Sequence, residues 1–162
     1  MQIHSLGPDD AERFLEFRSQ LLTHQEDSFR VSAIDDAATP IDAWRSRLKR
    51  GHVISALGMN DQWLGVGGLS RFEGEKLCHK GLIWGMYVEP SGRGLGVADE
   101  IMRHLIRYAE GRMHHLLLTV IAKNLRARQF YERHGFEVYA VEPESIRLRE
   151  GYADEALMRR LL

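Results

Sequence analysis

Between Pro90 and Ala98 the sequence reads PSGRGLGVA, with glycines at 92, 94 and 96 and Arg93 among them. Residues of these types at this spacing suit the binding of a phosphate. Glycine puts no Cβ between a ligand and the main chain and accepts left-handed backbone conformations. A helix beginning just after the turn adds peptide N–H groups that lack intrahelical partners, together with the positive end of the helix dipole. Arg93 contributes a full charge. A glycine-rich turn is also a common structural device, so by itself it does not say whose phosphate it holds.

The neighbouring elements must aim this turn. An apolar strand over about 81–89 leads into it and Pro90 ends the strand. The helix that follows places Ala98, Ile101, Met102, Leu105 and Ala109 inward and stops at Gly111. Residues 115–122 (HLLLTVIA) form a nearly continuous apolar run, the pattern of a strand covered on both faces. Strand, helix and strand in this order imply parallel pairing with a right-handed crossover. Asn124 is placed to cap a further helix over 125–134, which Gly135 ends. A strand over 136–141 follows, and the tail alternates over 145–149 and 156–162 about a turn at Gly151.

Upstream, residues 2–6 can open a sheet. Asp9 with Glu12 predicts a helix start, and Ala11, Phe14, Leu15, Arg18, Leu21 and Leu22 form its inner stripe. Residues 24–38 show no period and read as a loop or a broken helix. Thr39-Pro40-Ile41-Asp42 predicts a second helix capped by Thr39 and running to about Arg50. A hairpin over 52–59 and 62–72 turns at Asn60-Asp61, and Gly65, Gly67 and Gly68 inside its second strand predict close packing or a bulge.

The chain has 162 residues, 44% of them hydrophobic and 28% charged, which fits one globular domain over 1–162 that buries roughly two-thirds of its unfolded surface. A formal charge of −1 argues against general binding of nucleic acid or a membrane surface. Cys78 is the only cysteine, and with neither a signal peptide nor a long apolar run in the sequence a reducing cytoplasm is the expected location.

With the elements in this order, the segments MYVEP, GRGLGVA, NLRARQFYERHGF and YAVEPESIRLREGYADEALM make the chain resemble the GNAT superfamily of acyl-CoA-dependent N-acyltransferases. The resemblance covers most of the chain, and its specific part runs from Trp84 to Leu162. It implies an α/β fold with a mixed, splayed sheet of about seven strands and about four helices, and acetyl-CoA as cosubstrate. It also implies that the main-chain amides of Arg93, Gly94, Leu95, Gly96, Val97 and Ala98 hold the pyrophosphate. Main-chain groups of Met86 and Val88 would pair with the pantetheine arm as with an added strand. Asn124 and Arg128 would reach the cofactor, and the Tyr131 hydroxyl would stand near the thioester sulfur. Ser91 departs from the family pattern, which has Gln or Arg there, and weakens one expected side-chain contact, while the amides that do most of the phosphate binding remain.

Acyl transfer to an amine needs an unprotonated amine, a stabilised oxyanion and a protonated leaving thiol. Tyr131 is the candidate acid, and a strand amide near Met86 the candidate oxyanion donor. The strand from Lys80 to Val88 holds no carboxylate, so Glu73, His79, Glu144 and a water relay stand as candidates for the base, while Glu89 reads as structural. Cys78 reads as a packing residue, and of Arg126, Arg128 and Arg133 at most one is expected to meet phosphate. The eight histidines show no metal-ligand spacing. A small amine or amino acid is the expected acceptor, with residues 24–38 and 142–152 walling its site. A protein N-terminus or lysine, a non-catalytic acyl-CoA sensor, a nucleotide-binding domain and a homodimer through the last strands remain open.

Overall fold

The computed structural model describes residues 1–162 apart from the side chain of Glu26. β1 (Gln2–Ser5) passes through a single 3-10 turn at Pro8–Asp10 into α1 (Ala11–His24). The helix does not start at Asp9 as expected. The Asp10 carboxylate reaches back to accept the Gly7 N–H at 2.8 Å, so the chain tightens once before the α-helix begins. The unpatterned stretch after α1 holds a 3-10 turn at Glu26–Ser28 and a five-residue helix, α2 (Ala33–Ala37), which Ser32 caps by accepting the Asp35 N–H. At α3 (Ile41–Arg50) the cap position is Pro40, not Thr39, and no side chain caps the helix. Next come β2 (His52–Leu57), a turn in which Asn60 and Asp61 take φ of 54° and 57°, and β3 (Trp63–Arg71).

β4 (Lys80–Val88), α4 (Val97–Ala109), β5 (His115–Ile121), α5 (Leu125–Arg133), β6 (Glu137–Leu148) and β7 (Gly151–Leu161) complete the chain. The seven strands form one mixed sheet in the order β1-β2-β3-β4-β5-β7-β6. There are five α-helices rather than about four, because part of the 24–38 stretch folds as α2. The chain divides into two compact units, 1–70 with 83–108 and 71–82 with 109–162. Among the described residues no helix is long and apolar enough to cross a membrane.

In the first unit β1, β2 and β3 run antiparallel, with Ile3 opposite Ala56 and Ser55 opposite Val66. Phe14, Leu21 and Leu22 of α1 pack with Trp44, Leu48, Val53, Trp63, Val66 and Tyr87. The β3 glycines serve the close packing that their spacing suggested. A Cβ on Gly67 would stand 2.6 Å from both Ile101 Cγ2 and Met86 Sδ, and one on Gly68 would stand 2.5 Å from the Trp84 ring. Only glycine lets these side chains approach β3 so closely.

In the second unit Lys80, Gly81 and Leu82, the first residues of β4, pair in parallel with His115, Leu116 and Leu117 of β5. β7 then lies antiparallel to β5, from His115 opposite Leu161 to Ile121 opposite Glu155. β5 is not covered on both faces as its apolar run suggested. Leu116, Leu118 and Val120 are buried, while the residues between them are only half-buried. β6 also corrects the sequence reading, because the two expected strands are one of 12 residues. Its register against β7 shifts at Val138/Ala140 and at Glu142/Ile146, and Glu144 has a φ of 51°. This irregularity masks the alternation in the sequence.

Candidate active site

The turn between β4 and α4 is built as its glycines suggested. Gly94 and Gly96 take φ of 77° and 75°, and a Cβ on either would meet no atom within 4 Å. Their conformation demands glycine and the space around them is open. Gly92 differs: it is buried, and a Cβ would stand 2.9 Å from the Leu64 carbonyl oxygen, so this glycine seats the turn on β3. The Arg93 and Leu95 N–H groups donate within the turn, to Pro90 and Gly92 carbonyls. Those of Gly94, Gly96, Val97 and Ala98 have no backbone acceptor among the described residues. The exposed Arg93 lies over the turn, its Nε donating to the Val88 carbonyl at 3.4 Å. This array of free N–H groups, positive helix end and arginine suits a phosphorylated ligand.

β4, which feeds the turn, is bent. Gly85 takes a φ of 63° inside the strand, a left-handed residue of the kind that forms a bulge and re-aims the next main-chain groups, here those of Met86. Before it, Trp84 donates its indole N–H to Ser70 Oγ at 2.8 Å. After it, the Tyr87 phenol is pushed above its usual range by burial first and then by the Glu89 carboxylate, so Tyr87 stays neutral and Glu89 is engaged with it. Sequence reading passed over Gly85, although a lone glycine in a strand is a known bulge signal.

Facing Gly85 is a charged pair that sequence reading also missed. Arg18, on the inner stripe of α1, is 5% exposed, and so is Asp36 of α2. Arg18 Nε donates to the two Asp36 carboxylate oxygens at 3.2 and 3.0 Å, and Nη2 donates to Oδ1 at 2.6 Å. The guanidinium carbon lies 4.7 Å from the Trp44 ring centre, 5.8 Å from that of Phe14 and 5.9 Å from that of Trp84. A cleft of about 470 Å³ opens between α1 and residues 33–39, with Glu16, Ser19, Gln20, Asp36 and Thr39 on its walls.

The remaining predicted residues lie in the second unit, on or beside α5. Asn124 caps α5, its Oδ1 accepting the Ala127 N–H at 3.1 Å, which leaves its amide donors for other work. Arg128 donates from Nη1 to the Ala122 carbonyl at 3.2 Å, while its buried Nε has no partner among the described residues. Tyr131 is half-buried between Phe130 and Phe136, with ring centres 5.3 and 6.1 Å away. Burial pushes its hydroxyl up to about 12. Of the candidates for the base, Glu73, His79 and Glu144 are all exposed. No group of three or more His, Cys, Asp or Glu among the described residues is arranged to hold a metal ion.

Residues 18–136 match the family model for the acetyltransferase (GNAT) family. No curated protein matches the sequence significantly. Solved structures agree in fold. The crystal structure of a GNAT-family acetyltransferase from Streptococcus pneumoniae superposes with a TM-score of 0.84 at 20% identity, covering 99% of each chain. A putative acetyltransferase from Salmonella typhimurium, solved with its cofactor acetyl-CoA, gives 0.82 at 18% identity over 100% of this chain and 94% of that one. A ribosomal-protein-alanine N-acetyltransferase from Brucella melitensis gives 0.81 at 18% identity over 100% of both chains.

Proposed function

The chain belongs to the acetyltransferase (GNAT) family, and on that footing we propose that it moves an acetyl group from acetyl-CoA directly to the primary amine of a small molecule or amino acid. The reading takes the whole chain as one acyltransferase domain, which the 99% coverage of the Streptococcus pneumoniae structure supports. The observation that carries it is the open glycine turn at the start of α4, whose N–H groups at Gly94, Gly96, Val97 and Ala98 are free to receive phosphate oxygens. Arg93 adds its charge there, while the Arg93 and Leu95 N–H groups, expected from the sequence to hold phosphate, donate within the turn to the Pro90 and Gly92 carbonyls. Met86 and Val88 pair through their main chain with the pantetheine arm, and Asn124 and Arg128 contact the cofactor.

Acetyl-CoA supplies the activated acyl carbon, so the protein needs no nucleophile of its own. Its tasks are to hold the thioester, polarise its carbonyl and manage two protons. Gly85, with its left-handed φ, directly precedes the Met86 N–H, which in this reading donates to the carbonyl oxygen, a role that removes about 3 kcal/mol from comparable barriers. The acceptor amine, with a pKa near ~10, must lose a proton before attack. Glu73, His79 and Glu144 are all exposed, and in this reading water leading to solvent takes that proton. Tyr131 serves the leaving sulfur. With its hydroxyl near 12, Tyr131 is a weaker acid than an ordinary thiol of pKa ~8.5. It therefore steadies the thiolate by donating a hydrogen bond, and the thiol takes its proton from solvent.

The test is thiol release from acetyl-CoA against a panel of amines, amino acids and peptides with free N-termini or lysines, with thermal shifts measured in parallel. Turnover on small amines or amino acids is expected. A thermal shift with acetyl-CoA but no thiol release with any acceptor would make the protein a non-catalytic acyl-CoA sensor. A shift with NAD or ATP but not acetyl-CoA would make it a nucleotide binder.

A further inference from the structure

Arg18 is a nearly buried cation that uses two of its five N–H donors on Asp36. A guanidinium has five N–H donors arranged as two forks. Asp36 fills the fork formed by Nε and Nη2. The second fork, formed by Nη1 and the other Nη2 hydrogen, has no hydrogen-bond partner among the described residues. The fork keeps a small opening to solvent: the Arg18 side chain is 7% exposed, and Nη1 is not one of the buried unpartnered atoms. It faces the bend in β4: a Cβ on Gly85 would stand 3.5 Å from Nη1, and glycine leaves that space empty. A nearly buried fork that only water can reach is a place where a carboxylate can replace that water with two parallel hydrogen bonds.

We propose that Arg18 is the acceptor-recognition residue, and that its second fork binds the carboxylate of an α-amino acid. This deepens the acetyl-transfer reading and rests on it. Adjacent Cα atoms lie about 3.8 Å apart, so a group held beside Gly85 is one residue from the Met86 amide that polarises the thioester. In an α-amino acid the amine and the carboxyl group hang from one carbon, and anchoring the carboxylate at Arg18 brings the amine to the acyl carbon. The fork geometry matches a carboxylate in a bidentate manner, which a lone amine or an ester does not reproduce. Asp36 already balances the arginine's charge, so the second carboxylate is held by hydrogen-bond geometry more than by net attraction. The faces of Trp44, Phe14 and Trp84 keep the guanidinium in place for it.

Thiol release measured on matched sets decides the matter: phenylalanine, phenylalaninamide and phenethylamine, then histidine, histidinamide and histamine. The free amino acids should exceed both partners at least tenfold in kcat/KM. Two variants isolate the fork. Arg18→Lys keeps a charge opposite Asp36 but has no second fork, and the joint replacement Arg18→Met with Asp36→Leu removes the pair without leaving a lone buried charge. In each, checked for folding by circular dichroism, the preference for the carboxylate should fall to within threefold of unity. Turnover on amines without preference for the carboxylate would overturn the assignment and leave acetyl transfer standing. A preference that persists in both folded variants would overturn it too. Thiol release from no acceptor at all would overturn the transfer reading and this inference with it.

Discussion

Replacing Tyr131 with phenylalanine removes a single oxygen from a half-buried ring. Burial alone accounts for the rise of this phenol to about 12, with no hydrogen-bond partner for the hydroxyl among the described residues, and its loss should leave stability within about 0.5 kcal/mol. The kinetic effect should be larger. A hydrogen bond to a charged group is worth about 1.5–3 kcal/mol, and each ~1.36 kcal/mol is tenfold in rate, so kcat should drop about tenfold to a hundredfold. KM for acetyl-CoA should change little, because the bond strengthens only as the sulfur gains charge. The assay is thiol release from pH 6 to 10 for both proteins. Tyr131 stays protonated throughout, so the loss should be the same at every pH. A kcat within twofold of the parent would remove Tyr131 from the chemistry. An alkaline limb below pH 10 that vanishes in the Tyr131→Phe variant would show that Tyr131 titrates in the working range and transfers its proton outright. The raised pKa also makes a stability statement: the folded protein holds this proton more tightly than the unfolded chain. That contribution is whole below about pH 10 and is lost as pH climbs through about 12, so the variant should resist alkaline unfolding better than the parent.

Gly68→Ala would drive a Cβ to 2.5 Å from the Trp84 ring, and urea unfolding should show a loss of about 1–3 kcal/mol; an unchanged midpoint would mean that Trp84 moves freely. Gly96→Ala meets no atom but forces an alanine to a φ of 75°, at a cost of about 1–2 kcal/mol. Calorimetry should show the Kd for acetyl-CoA rising severalfold, and an unaltered Kd would remove the turn from the phosphate site. His115 is held below its usual range by burial first and then by His79, His114, Lys80 and Arg159, so the folded protein resists its protonation. Its contribution is whole above pH ~6.5 and is lost as pH falls. Thermal melts from pH 7.5 to 5 should therefore decline less steeply in a His115→Gln variant, and an identical slope would assign the decline to other groups.

The strand, glycine turn and helix around Gly94 were legible because each element is local: an apolar run, a proline stop, glycines and a 3.6-residue stripe stand next to one another in the chain. The ends of α3, α4 and α5 near Gly51, Gly111 and Gly135 were legible for the same reason. What escaped depends on contacts between distant residues. Arg18 was visible as a charged residue within an apolar stripe, but its partner Asp36 lies 18 positions on, in a stretch without a period. The apolar run of β5 could not reveal that one of its faces is only half-covered, because that depends on what packs against it. β6 looked like two strands because its bulge around Glu144 breaks the alternation while the pairing with β7 resumes beyond it. At the site, the cradle could be read from residue types, whereas the bend at Gly85 and the fork opposite it appear only when α1, α2 and β4 come together.

The rings around Arg18 also give the protein an optical probe. The sequence has three tryptophans, and two of them, Trp44 and Trp84, lie 4.7 and 5.9 Å from the guanidinium carbon. The third, Trp63, lies under a different arginine, with Arg13 4.7 Å from its ring centre. Indole emission responds to nearby charge and to polarity, so a carboxylate arriving at Arg18 alters the electric field at two of the three emitters. Titration followed by intrinsic fluorescence can therefore report acceptor binding in real time and without a label, even for an acceptor that is never turned over.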